Sequence, residues 1–445
     1  MDAVLAPIAR YFKFAERGTN ILAESRAGLT TFMVMCYIIF LNGAIIAKPL
    51  GLDPVAVAAG TCLIAGLMTI AMGMVANYPF ALAAGLGINA LVAFTLPAKG
   101  FTPAECMGVI VIEGVVITIL VVAGLREAIM NAVPLVLKRS IGVGIGLFIL
   151  YIGLVNAGLI VQSNPAMTLA FPTTTAQFVF LLGLAITVAL YTMKVRASLI
   201  ISIIVTTIVA LIVGVSTIPS NINPTPSFAT FNNADWYGAL FGKVSIVVAL
   251  LTIFAVMLSD FFDTMGTVTG IAAEAGLANE DGSVPGIGRI LFVDSLAAFF
   301  GGWMGVSSNT TYIESAAGVA EGGKTGFASI ITGLLFLLAI FVTPLATIVP
   351  FAATGPALVV VGYLMFTQIK GIDVSDIENG LPALLTIVLM PLTYDITVGI
   401  GAGFVSWVFI KLLKRKFNEV HWLMYVVSAA FVVYFANAWI LTFIK

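Results

Sequence analysis

The chain has 445 residues, 60% of them hydrophobic and 9% charged, with one histidine and a formal net charge of -1. Soluble domains carry about 25% charged residues, so this composition, with a mean hydropathy of +1.13, reads as a polytopic helical membrane protein. The charge balance argues against a nucleic-acid partner, and the lone His421 argues against a histidine relay or a metal site.

A transmembrane helix takes about 20 apolar residues, so the length leaves room for roughly a dozen or more. Residues 1–26 carry Arg10, Lys13, Arg17, Glu24 and Arg26 scattered along an amphipathic stretch without a short apolar core and cleavage site. This is a cytoplasmic interfacial segment and not a cleaved signal, with Leu5, Ile8, Phe12 and Phe14 turned to the bilayer edge. Spans are expected at 28–48, 54–76, 80–98, 105–124, 141–161, 173–192 and 196–217, which make up a first repeat over 27–217. Cys36, Cys62 and Cys106 lie in or near these apolar runs without metal-ligand spacing and read as small core residues.

The third span opens on Pro79 and runs through Gly85, Gly87 and Asn89. Proline stops any preceding helix, the glycines allow close backbone approach, and Asn89 is the amide of an otherwise apolar span. A polar stretch with Pro and Asn follows the seventh span, and 218–243 is read as an extracytoplasmic linker.

The second repeat, 244–445, is expected to span at 244–270, 288–304, 309–320, 326–344, 352–369, 382–412 and 421–443. In its first span Asp260, Asp263, Thr264 and Thr267 fall at i, i+3, i+4 and i+7, on one helical face. An ionised aspartate at bilayer depth costs about 2.5–3.5 kcal/mol, so two on one stripe point to a cavity. Packing against a neighbouring helix is the alternative use for such a pair. Asp260 has Ser259 as its only polar sequence neighbour, which suits a proton carrier; Asp263, beside Thr264, suits ligand positioning. The two can also titrate as one unit. The tenth span opens on Gly305-Val306-Ser307-Ser308-Asn309-Thr310-Thr311, whose hydroxyls and amide are natural caps for a helix starting in mid-membrane. Glu314 then lies in its first turn or two, where the helix dipole favours an anion. Two half-helices aimed at one midplane point make a polar site without lipid-exposed loops, and matching interruptions in inverted halves mark a transporter binding site. Glu113 and Asp294 read as structural partners or interfacial charges, and Glu274, Glu280, Asp281, Asp373, Asp376 and Glu378 as solvated ones.

Lysine and arginine placement puts the N-terminus, Arg126, Lys138, Arg139, Lys194 and Arg196 in the cytoplasm. The scheme fails at Lys411, Lys414, Arg415 and Lys416, which would fall outside unless 382–412, broken at Pro391, is two short crossings.

Several of these stretches resemble the AzgA-like purine permeases of the nucleobase–cation symporter family, over nearly the whole chain. The stretches are Ala27-Gly28-Leu29-Thr30-Thr31-Phe32, Ala76-Asn77-Tyr78-Pro79-Phe80-Ala81-Leu82 through Asn89-Ala90, Asp260 to Thr267, Thr311 to Gly323, and Met390-Pro391-Leu392-Thr393-Tyr394. The resemblance implies about fourteen segments as two inverted sevens, with core and gate domains, and proton-coupled purine import at a cell (inner) membrane. Carried onto this chain, it implies functional polar groups at Asn89, Asp260, Asp263 and Glu314. Ala84 stands where members commonly carry proline, and Val306-Ser307-Ser308 replaces a threonine-rich opening, so the preferred purine stays open.

A purine has N–H donors on one edge and ring-nitrogen acceptors on another. Carboxylates at Asp263 and Glu314 can accept from the donors, and Asn89 can do both. Phe80, Phe262 and Thr311 are further candidates for contact, Gly85, Gly87, Ser308 and Asn309 for the half-helix backbone, and Asp260 for the coupling proton. No cofactor is expected. The partners are a purine, a proton and the bilayer, with a homodimer as one option. Among rivals, an intramembrane aspartyl protease needs its two acids on separate helices. A channel or anion exchanger on the same inverted-repeat fold would favour a pocket of helix N-termini without acids. A purely structural membrane protein needs no polar interruptions.

Overall fold

The computed structural model describes residues 2–125, 132–162, 167–219, 225–279 and 283–444. Arg126, Glu280 and Asp281 lie outside the described residues, as does the side chain of Leu5. Among the described residues the regular structure is helical apart from two short antiparallel strand pairs, and ten of the helices are long and apolar enough to cross a membrane.

In chain order the apolar helices are α1 (Ile21–Leu50), α2 (Pro54–Ala76), α3 (Leu86–Ala98), α4 (Pro103–Val122), α5 (Leu135–Asn156), α6 (Thr175–Thr192) and α7 (Ser198–Ile212). They continue with α8 (Ile246–Glu274), α9 (Ile287–Met304), the short α10 (Ser315–Ala320), α11 (Gly326–Thr347), α12 (Phe351–Gly371), α13 (Ile377–Thr393), α14 (Ile396–Leu413) and α15 (Trp422–Ile444). The strands are β1 (Leu82–Ala84), β2 (Ile160–Gln162), β3 (Met167–Leu169) and β4 (Asn309–Thr311).

Local sequence sets where the helices start. Asp53 caps α2 by accepting from the Val55 N–H, with Pro54 at the first helical position. Thr102 with Glu105, and Thr174 with Gln177, form capping boxes at the starts of α4 and α6. The helices pack as two bundles. One joins α2 to α11 and α4 to α9, with α1 and α8 on its flanks; the other joins α5 to α12 and α13, α6 to α12, and α13 to α14. Where α2 crosses α11, Gly66 faces Gly333 so closely that a Cβ on Gly333 would lie 2.6 Å from the Gly66 carbonyl oxygen. Small residues are what let membrane helices approach to backbone contact.

Two expectations are corrected. Phe12 and Phe14 are not turned to the bilayer edge: both are buried and meet Phe327 edge-on, at ring separations of 5.6 and 5.7 Å. Aromatic faces in the N-terminal segment find apolar protein surface at the start of α11 instead of lipid. Glu24 is fully buried there and accepts from the backbone N–H groups of Lys324, Thr325 and Ala328, capping α11 from outside its own sequence. The stretch 382–412 is two helices and not one. The break is at Tyr394, in the left-handed region at φ 58, with Asp395 capping α14 through the Thr397 N–H; Pro391 stays inside α13.

Candidate functional site

β1 and β4 pair antiparallel between α1, α2, α8 and α9, in the register Leu82↔Thr311, Ala83↔Thr310 and Ala84↔Asn309. The ladder extends both ways: the Tyr312 N–H donates to the Ala81 carbonyl and the Gly85 N–H to the Ser308 carbonyl, both at 2.9 Å. Non-helical backbone at membrane depth is tolerable only when satisfied by protein, and this pairing satisfies it. Thr69 of α2 closes one flank, bonding both the N–H and the carbonyl of Leu82.

Residues 309–311 are therefore strand, Ser307 and Ser308 lead into it, and none of them caps α10. The α10 N-cap is Glu314 itself. From β1 the chain enters α3 at Gly85, where a Cβ would meet Thr310 Cγ2 at 2.9 Å; at Gly87 it would meet Ile145 Cγ2 at 2.6 Å. These two glycines hold α3 against β4 and α5.

Asp294 of α9 anchors β4. One of its oxygens accepts from the Thr311 N–H at 3.0 Å and the Thr311 hydroxyl at 2.9 Å, the other from the Thr264 hydroxyl at 2.7 Å. The Thr264 and Thr310 hydroxyls are themselves 2.7 Å apart. Asp294 thus behaves as the structural partner expected, and the Thr311 hydroxyl is held by it.

Glu314 is half-buried and lines a cavity of about 200 Å³ between the two bundles, with Val34, Tyr191, Ser198, Leu199, Ile313 and Leu364. The Tyr37 hydroxyl donates to Glu314 Oε1 at 2.6 Å. Asp263, also half-buried, lies within electrostatic range of both Glu314 and Asp294. Asp260, one turn before Asp263 on α8, is fully buried. Its neighbours Met257 and Phe261 pack on Ile117 of α4, one turn after the buried Glu113.

Asn89 is fully buried, and its amide nitrogen donates to Asn42 Oδ1 at 2.8 Å. Asn42 in turn donates to the Thr61 hydroxyl and the Val306 carbonyl. Asn89 Oδ1 has no hydrogen-bond partner among the described residues, and neither amide atom of the buried Asn309 has one. Ser308 is fully buried, and its carbonyl completes the ladder. Phe80 is fully buried and stacks on Tyr78 at 5.1 Å, while Phe262 sits 5.9 Å under the Lys138 ammonium of α5. Sequence reasoning missed Tyr37 and Asn42; Asn42 carries the same signal as Asn89, an amide in an apolar span. Among the described residues no group of three or more His, Cys, Asp or Glu side chains could hold a metal ion.

Residues 22–402 match the model of a permease family. The chain is 37% identical to the guanine/hypoxanthine permease PbuG of Bacillus subtilis, over 96% of its own length and 98% of that protein's. It is 36% identical to the adenine permease AdeQ of Escherichia coli, over 95% of each. The chain belongs to this permease family. The resemblance read from its motifs holds, and the protein is an integral membrane protein. Among solved structures it resembles the transmembrane domain of a cyanobacterial bicarbonate transporter, BicA, with a TM-score of 0.62 at 13% identity, over 86% of this chain and 97% of that one. That likeness places the chain in the inverted-repeat transporter fold.

Proposed function

We propose that this permease imports purine nucleobases across the cell membrane by alternating access, coupled to protons. The observation that carries this reading is Glu314: a carboxylate half-buried on the wall of a cavity between two bundles, with Asp263 in electrostatic range. Two such acceptors match the N–H edge of a purine. The names of PbuG and AdeQ support that ligand class. Asn89 Oδ1, buried and unpartnered, supplies a further acceptor. Phe80, Phe262 and Thr311 shape the surroundings together with Gly85, Gly87, Ser308 and Asn309, and Asp260 carries the proton.

An anion exchanger on the same fold is disfavoured by the same pair, since two carboxylates repel an anion. The N-terminus is cytoplasmic in this reading. Dividing 382–412 adds one crossing, which returns Lys411, Lys414, Arg415 and Lys416 to the side of Arg10 and Arg17, as positive-inside placement requires. Residues 27–217 and 244–445 form the two repeats, joined through 218–243.

Uptake of labelled adenine, guanine and hypoxanthine by cells without their own permeases tests the reading; no uptake of any of the three rejects it. In proteoliposomes, Asp260→Asn should keep purine exchange but lose accumulation driven by a pH gradient, whereas Asp263→Asn should weaken binding itself. The reverse pattern would exchange the two roles.

A further inference from the structure

The half-helices α3 and α10 both end in a charged C-cap residue, Lys99 in one and Glu321 in the other. Each meets the opposite charge at the turn of a helical hairpin in the other bundle. Lys99 pairs with Asp395, the N-cap of α14, at 3.1 Å. Glu321 pairs with Arg196, which immediately precedes Ala197, the N-cap of α7. Both hairpin turns use a left-handed residue, Tyr394 at φ 58 and Ala197 at φ 56. The two pairs are therefore equivalent in position and inverted in sign. Because β1 and β4 run antiparallel and lead directly into α3 and α10, the pairs sit at opposite ends of the molecule.

They are unequal in burial. The Lys99 and Asp395 side chains are 10% and 14% exposed; Lys99 also donates to the Thr397 hydroxyl at 3.0 Å and lies 5.4 Å from the Tyr434 ring. Arg196 is 72% exposed and Glu321 22%. The cavity lies beside this second pair, since Tyr191, Ser198 and Leu199 line it with Glu314.

We propose that Lys99–Asp395 and Arg196–Glu321 are matched latches between the bundles, one on each membrane face, and that their unequal strength sets which face opens first. The proposal rests on the alternating-access reading above. A buried, hydrogen-bonded pair resists separation far more than a solvated one. The Arg196 face is thus the readily opened one, and the Lys99 face stays shut until its pair is broken. Removing either latch shifts the population towards the conformer open on that face.

The three native cysteines are buried, so Ser198→Cys serves as the reporting thiol on the cavity wall. Its labelling by a membrane-impermeant thiol reagent, in purified protein without substrate, measures opening on the Arg196 face. Arg196→Glu should raise the labelling rate by at least about fivefold, the lower end of couplings between conformational states. The exchanged pair Arg196→Glu/Glu321→Arg should return it to the starting rate. Asp395→Lys should slow labelling by a similar factor, and Lys99→Asp/Asp395→Lys should restore it. Arg196 is exposed enough for its substitution to leave folding intact, so that arm stands even where Asp395→Lys does not insert. Labelling unmoved by Arg196→Glu, or not restored by the exchanged pair, overturns the proposal. A labelling response in a protein that takes up no purine leaves the latches standing and rejects the transport reading alone.

Discussion

β1 is Leu82-Ala83-Ala84 and leads into a half-helix through Gly85 and Gly87; β4 is Asn309-Thr310-Thr311 and leads into another through Glu314. The backbones of the two segments satisfy each other, so their side chains are free to differ. The first segment supplies shape. A Cβ at Gly85 would collide with Thr310, and one at Gly87 with Ile145. The second supplies charge and the bonds that hold it. Thr311 is tied to Asp294, Thr310 to Thr264, and Glu314 to Tyr37. An inverted repeat can therefore keep a symmetric backbone while placing the cavity-lining carboxylate of its crossing segments on one side only.

The largest effect is expected at Glu314, the charge the first segment lacks. Glu314→Gln keeps an acceptor for Tyr37 but removes the negative charge. Purine uptake per inserted molecule should fall by about 100-fold, near the upper end of what a hydrogen bond to a charged group contributes. Thermal stability in detergent should hardly move. Uptake at the normal rate by a correctly inserted variant would show that the polar segment is only structural.

Asp294→Ala separates anchoring from ligand contact. It leaves the buried Thr311 N–H and two hydroxyls without their acceptor, a loss of about 2 kcal/mol or more by the cost of unsatisfied buried groups. Thermal unfolding should therefore occur several degrees lower, in contrast to Glu314→Gln. An unchanged unfolding temperature would mean that β4 is held by its ladder to β1 alone.

Asn89→Ala tests whether the apolar segment contributes anything beyond shape. Loss of an unpartnered acceptor should weaken purine binding about tenfold, within the range of one hydrogen bond. Binding to purified Asn89→Ala that matches the parent would make the amide a partner of Asn42 and nothing else.

Much of this contrast was legible in the sequence. Pro79, Gly85 and Gly87 announced one interruption and Ser307 to Thr311 the other, because glycine, proline and small polar residues are costly in a lipid-facing helix. The carboxylates at 260, 263 and 314 stood out for the same reason. What was not legible is pairing across distance. Ser307 to Thr311 read as helix caps because local rules favour that use; the antiparallel partner that makes Asn309 to Thr311 a strand lies more than two hundred residues away. Thr264 read as part of the aspartate stripe, and nothing local reveals that Asp294 of α9 takes its hydroxyl. Phe12 and Phe14 read as bilayer contacts, since nothing local reveals Phe327. Helical spacing tells which residues share a face, not which neighbour that face meets.

Tyr37→Phe carries the smallest expected effect and sharpens the comparison most. Tyr37 is fully buried at the turn where α1 breaks between Met35 and Ile38, and its hydroxyl reaches Glu314 from the first half of the chain. Phenylalanine keeps the ring and its packing and removes one donor, so the protein should fold normally. A hydrogen bond of this kind contributes about 1 kcal/mol net, and purine affinity should drop roughly fivefold as Glu314 loses its fixed orientation. The decisive measurement is the double variant. If Tyr37 acts through Glu314, Tyr37→Phe should cost almost nothing in a Glu314→Gln background, because residues in one network are not additive. If the two losses add in full, Tyr37 affects binding by another route, and the carboxylate of the second segment is positioned without help from the first.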